Sequence, residues 1–106
     1  MTYKKRTHTC GELRKSHIGT TVTLTGWVDS RRDLGGVIFI DVRDRYGKTQ
    51  VVFAPQHNSE THRSAEILRS EYVISVTGKV AKRPAGTENA ELATGEVDIE
   101  AAELVV

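Results

Sequence analysis

In residues 21–32, TVTLTGWVDSRR, Val22, Leu24 and Val28 fall at even positions with threonines between and around them, a period of two. A period of two over that length admits a half-buried β-strand and excludes an amphipathic helix. Val22, Leu24, Gly26 and Val28 fall on one face; Thr23, Thr25, Trp27, Asp29 and Arg31 fall on the other. The same period returns in VIFIDVRD (37–44), where Ile38, Ile40 and Val42 oppose Val37, Phe39, Asp41 and Arg43. In TQVVFA (49–54), Thr49, Val51 and Phe53 oppose Gln50 and Val52. Two further runs, YVISVTGKVAKR (72–83) and GEVDIEAAELVV (95–106), put Tyr72, Ile74, Val76, Gly78 and Val80, and then Val97 and Ile99, on their inner faces.

The punctuation between these runs sets their order. DLGG and DRYGK are turns, the second with Gly47 available for a positive φ. Pro55 ends the third run, and SETHRSAEILRSEY offers Ser59 as an N-cap, with Ala65, Leu68 and Tyr72 at near-helical spacing. A polar loop, RPAGTENAELATG, separates the last two strands. The expected class is therefore all-β with one short helix. A three-strand meander, a helix and two more strands is the order of the five-stranded Greek-key oligonucleotide-binding barrel, the OB fold, and Gly26 and Gly78 suit its tight coiling.

One domain over residues 1–106 fits this length. Fifteen Lys and Arg against fourteen Asp and Glu leave a net charge of +1, so any nucleic-acid binding must come from local clusters. A lone Cys10 forms no internal disulfide, and no apolar segment follows the basic start MTYKKRTHTC. The expectation is a cytoplasmic protein without a membrane span.

Several side chains suit contact with single-stranded nucleic acid. Phe39 lies among polar neighbours on the face opposite the aliphatic stripe, where it either stacks a base, or caps the barrel end or packs under a loop. Arg31 and Arg32 at the end of the first strand, and Lys82 and Arg83 at the end of the fourth, are either phosphate and base-edge donors or solvated turn charges. Gln50 is expected on the side of Phe39, and its amide both donates and accepts. Glu96 and Asp98 repel phosphate, yet a carboxylate accepts hydrogen bonds from base amino or imino groups. His8 and Cys10 lack the paired spacing of a zinc site, and no nucleophile elbow, phosphate-cradling glycine loop or metalloprotease helix is present. The chain reads as non-catalytic and metal-free.

The string GWVDSRRDLGGVIFIDVRDRYGKTQVVF, Gly26 to Phe53, resembles the start of bacterial-type aspartyl-tRNA synthetases. So do RTHTCGEL and SHIG before it and VTGKV, KRPAGT and ATGEV after it, which together cover essentially the whole chain. Asparaginyl- and lysyl-tRNA synthetases carry related barrels in looser form. The resemblance implies an N-terminal anticodon-binding domain in which Phe39 stacks an anticodon base, Gln50 reads the central uridine, Arg32 and Arg83 contact the anticodon loop, and Asp98 reads an outer anticodon base in place of a longer glutamate. Ser30 stands where relatives often carry a third arginine. Two loop positions tied to charging aspartate tRNA alone or asparagine tRNA as well fall on Leu34, which resembles the strict enzymes, and Gly86, which resembles the relaxed ones.

The resemblance further implies a homodimeric parent enzyme that uses ATP and Mg²⁺ in a class II catalytic domain beyond this chain; the domain itself is expected to need no cofactor. Its expected partner is the anticodon loop of tRNA(Asp), with tRNA(Asn) as a second partner in relaxed enzymes. The alternatives are an asparaginyl-tRNA synthetase barrel, a free-standing single-strand binder and a barrel used for protein contacts.

Overall fold

The computed structural model describes residues 5–106; residues 1–4 of the basic start lie outside the described residues. Strands β1 (Thr21–Leu34), β2 (Val37–Asp44) and β3 (Gly47–Phe53) form the meander; helix α1 (Ser59–Ala65) follows, then β4 (Val73–Lys82) and β5 (Val97–Val105). The strands close in the order β1-β2-β3-β5-β4. All pairings are antiparallel except β3 with β5, where Val51 and Val52 lie parallel to Ile99 and Glu100. This is the five-stranded Greek-key barrel expected from the sequence.

Closure depends on β1, which serves two neighbours. Its first half pairs with β4 from Thr21 to Trp27, its second with β2 from Trp27 to Leu34. Gly26 precedes the bend, and a Cβ there would run into the Arg43 carbonyl. Inward side chains from every strand fill the interior: Val22, Leu24, Ile38, Ile40, Val51, Phe53, Ile74, Val76, Val97 and Ile99 are all fully or almost fully buried. Each contributes roughly 1.5–3 kcal/mol by leaving water.

Helix α1 packs Ala65, and the following turn packs Leu68, against this core. Its N-cap is Asn58, not Ser59: the Asn58 Oδ1 accepts from the Thr61 N–H at 2.9 Å while its Nδ2 donates to the Ala102 carbonyl at 3.2 Å. A serine hydroxyl is too short to cap the helix and reach β5 together. The helical spacing also overreaches at Tyr72, which is 41% exposed. Past Ala65 the chain tightens into short turns, and Glu71, at φ 72, reverses it so that its N–H donates to the Val28 carbonyl at 2.7 Å.

The N-terminal segment forms a cover that the periodicity did not indicate. The Cys10 N–H donates to Asp44 Oδ2 at 2.9 Å, the Thr49 hydroxyl donates to the Cys10 carbonyl at 2.7 Å, and the Thr7 N–H donates to Thr23 at 2.9 Å. Burial, with the Asp44 carboxylate close by, pushes the Cys10 thiol far above its ordinary range.

Candidate nucleic-acid interface

The β2–β3 pairing puts Phe39 opposite Val52 and Asp41 opposite Gln50, and directly paired residues share a face. Phe39 and Gln50 therefore sit on one outer face. Arg32 joins them because it pairs with Phe39 across β1 and β2. The guanidinium of Arg32 lies over the Phe39 ring, 5.8 Å from its centroid, and its Nη2 donates to Gln50 Oε1 at 2.9 Å.

Arg31 does not join this group. The register shifts between Val28 and Ser30, so Asp29 is an extra residue in a β-bulge, and the alternation reverses beyond it. The sequence pattern had placed Arg31 on the face of Trp27 and Asp29. The bulge instead hands that face to Ser30 and Arg32 and pairs Arg31 with the inward Ile40. Arg31 Nη2 reaches the Glu66 carbonyl at 3.5 Å. Ser30 donates to Asp41 Oδ2 at 2.8 Å.

The other wall comes from the end of β4 and from β5. Arg83 and Asp98 are each only 5% exposed. The Arg83 Nε donates to the Val97 carbonyl at 3.1 Å, and its Nη1 donates to Gln50 Oε1 and to the Thr87 carbonyl, both at 3.4 Å; its Nη2 is buried with no hydrogen-bond partner. The Gln50 amide N–H donates to the Asp98 carboxylate. The amide is thus fixed in one orientation, its oxygen toward two guanidiniums and its nitrogen toward a carboxylate.

Together these residues line a cleft of about 670 Å³ that also takes in Leu34, Lys82, His57, Asn89 and Glu100. Of the expected site residues, Arg32, Leu34, Phe39, Gln50, Arg83 and Asp98 converge here. Gly86, exposed at φ 89 in the β4–β5 loop, lies between the lining residues Pro84 and Thr87 without lining the cleft itself. Glu96 turns away to Lys15, 3.1 Å distant. His57, Asn89 and Glu100 were missed. Glu100 was available from alternation, two residues beyond Asp98 on β5, and His57 approaches it at 3.6 Å. His57 and Asn89 come from irregular segments and carry no periodic signal.

Burial pushes the Asp98 carboxyl up to about 6; the Arg83 guanidinium opposes the shift and Glu100 adds to it. The folded state therefore holds this proton more tightly than the unfolded chain. Stability due to Asp98 falls as pH rises from about 3.8 to about 6, by on the order of 2–3 kcal/mol. Urea unfolding of wild type and Asp98→Asn across this window is expected to show that slope in the difference between them; parallel curves would contradict it.

Residues 22–106 match the family model described as OB-fold nucleic acid binding domain. The chain belongs to this family. Among its relatives, the OB-fold domain here is 58% identical over 94 residues to the aspartate–tRNA(Asp/Asn) ligase of Thermosynechococcus vestitus, covering 89% of this chain and 16% of that protein. It is 54% identical over 102 residues to the ligase of the same name from Desulfatibacillum aliphaticivorans, covering 96% of this chain and 17% of that protein. Among solved structures it resembles an asparaginyl-tRNA synthetase from Pyrococcus horikoshii complexed with asparaginyl-adenylate, at 28% identity and a TM-score of 0.77, over 93% of this chain and 21% of that one. The chain thus spans about 17% of the length of such ligases.

Proposed function

We propose that this domain binds the anticodon loop of tRNA(Asp) and reads its central uridine, as the recognition module of an aspartate–tRNA ligase. The observation that carries the reading is the setting of Gln50. Its Oε1 is an acceptor lying between donors, its own amide NH₂ on one side and the Arg83 guanidinium on the other. Uracil presents the complement, a central N–H between two carbonyls, whereas cytosine puts an acceptor nitrogen at that place. Phe39 supplies the adjoining surface on which such a base stacks. A base entering this place displaces Arg32 from the ring and from Oε1, freeing that guanidinium for a phosphate. Asp98 accepts from the amino or imino group of an outer anticodon base.

Identities of 54–58% to aspartate ligases, against 28% to the asparaginyl enzyme, favour the aspartate reading. Both ligases carry the name Asp/Asn, which supports tRNA(Asn) as a second partner and weights Gly86 over Leu34 in the sequence reading. Activation of aspartate with ATP and Mg²⁺, and assembly into a dimer, belong to the longer enzyme. Among the described residues of this domain no group of three or more His, Cys, Asp or Glu is placed to hold a metal ion, and no helix is long and apolar enough to cross a membrane.

Titration with the aspartate anticodon stem-loop, and with the same stem-loop carrying cytidine for the central uridine, tests the assignment. Wild type is expected to prefer uridine by about 1–3 kcal/mol, the cost of leaving buried polar groups unpaired, and Gln50→Ala is expected to lose the preference. Equal binding of both RNAs by wild type would overturn it.

A further inference from the structure

The face that holds Phe39 and Gln50 does not end at the cleft. One pair further along β2 and β3, Arg43 lies opposite Lys48 on the same outer side, and Trp27, 38% exposed, pairs with Arg43 from β1. The bulged Asp29 holds this pair in place, 3.6 Å from Arg43 Nη1 and 3.4 Å from Lys48 Nζ, and Arg43 remains about half exposed. Next comes the β2–β3 turn, where Tyr46 is 55% exposed and carries two guanidiniums against its ring, Arg6 at 5.7 Å and Arg45 at 5.6 Å.

A second cleft of about 390 Å³ opens here between the turn and residues 91–94 of the β4–β5 loop. A smaller hollow of about 190 Å³ joins the two. It shares Arg32, Gln50, Arg83 and Asn89 with the first cleft, and Lys48, Glu91 and Leu92 with the second. The result is one groove running along β2 and β3 beneath the β4–β5 loop, with base-edge groups at one end and a cation-rich aromatic turn at the other.

We propose that the turn end of this groove is a second RNA subsite, which takes the nucleotides flanking those read at Gln50: their phosphates on Arg43, Arg45 and Lys48, and an unstacked base against Tyr46. The chemistry differs between the two ends. The first cleft centres on the buried side chains of Gln50, Arg83 and Asp98, fixed groups of the kind that discriminate base edges. The second offers the exposed Arg43 and Arg45, the half-buried Lys48 and an aromatic ring, groups that bind backbone and any base without discrimination. With a net charge of only +1, the domain depends on such a local cluster to hold phosphates beyond those at the first cleft.

This inference rests on RNA occupying the first cleft, and the test separates the two. Single-stranded trinucleotides and heptanucleotides centred on the same uridine are titrated against wild type and a Tyr46→Ala, Arg45→Ala double variant at two salt concentrations, followed by NMR. Both substituted side chains are exposed on a turn, so the barrel is expected to stay folded. Wild type should bind the heptamer about tenfold or more tightly than the trimer, the stacking of one further base. Its salt slope should be steeper by about 1.4, the release expected from two phosphates on a single strand. The double variant should bind the trimer as wild type does and lose most of the heptamer's advantage, keeping only what Arg43 and Lys48 still hold, while Gln50→Ala weakens both lengths. If the double variant keeps the full length dependence, or wild type shows none, the second subsite is wrong and the first stands. If neither RNA perturbs Phe39 or Gln50, both readings fail.

Discussion

Replacing Gly78 by alanine is expected to cost about 3 kcal/mol or more and to lower the unfolding midpoint by about 12 °C or more. Gly78 sits in β4 where the pairing with β5 slips by one residue between Thr77 and Gly78. A Cβ built there collides with the Glu100 carbonyl oxygen, lies 2.9 Å from the carbonyl carbon and comes within 2.6 Å of Ile99 Cγ2. The first two obstacles are backbone in the neighbouring strand, so relief requires β4 and β5 to part where the barrel closes. Gly86→Ala is the contrast. Nothing lies within 4 Å of its Cβ, and only the φ of +89 penalises it, by about 1–2 kcal/mol. Thermal unfolding of both variants measures the difference; a Gly78→Ala protein within 1 kcal/mol of wild type would mean that the strands do not approach as described.

The second large effect is expected at Arg83. Substitution by methionine keeps much of the stem but removes the hydrogen bonds to Val97, Gln50 and Thr87 and the positive charge facing Asp98. Asp98 is then a buried carboxylate without its cation, so its carboxyl moves further up. At pH 7.5, where the folded state must still ionise it or take up a proton, the loss is about 3 kcal/mol or more. At pH 5 Asp98 is already largely protonated in the folded wild type, and the loss shrinks to roughly half. Urea unfolding at the two pH values checks this; a pH-independent loss would mean that Arg83 acts through packing and neutral hydrogen bonds alone. The unpartnered Nη2 is consistent with a group held ready for a ligand acceptor at some expense to the free domain.

The barrel was legible because a period of two is written directly into the chain. Val22, Leu24, Ile38, Ile40, Val51 and Ile74 all point where alternation puts them, since a slip by one residue would expose every one of them. The β2–β3 part of the site was legible for the same reason, which is why Phe39 and Gln50 share the expected face. A bulge leaves no periodic trace, so Arg31 was assigned to the wrong side. Asn58 and Ser59 are both good caps, and only the tertiary reach to Ala102 separates them. The depth of Arg83 and Asp98 arises from the β4–β5 loop folding over the face, through contacts such as Thr94 Oγ1 with the Lys48 carbonyl at 2.6 Å that join residues 46 apart in sequence.

The central claim is that the Phe39 face of the barrel is the RNA-binding face. The most direct measurement is the affinity of wild type and Phe39→Ala for the aspartate anticodon stem-loop and for its cytidine-substituted form, at one fixed moderate salt. Phe39 is only half-buried and outside the apolar core, so the variant is expected to fold. Loss of one stacking platform should weaken both RNAs alike, by about 1–3 kcal/mol, or roughly five- to 150-fold. If Phe39→Ala binds both RNAs as tightly as wild type does, the bases do not stack on this face and the anticodon reading is contradicted.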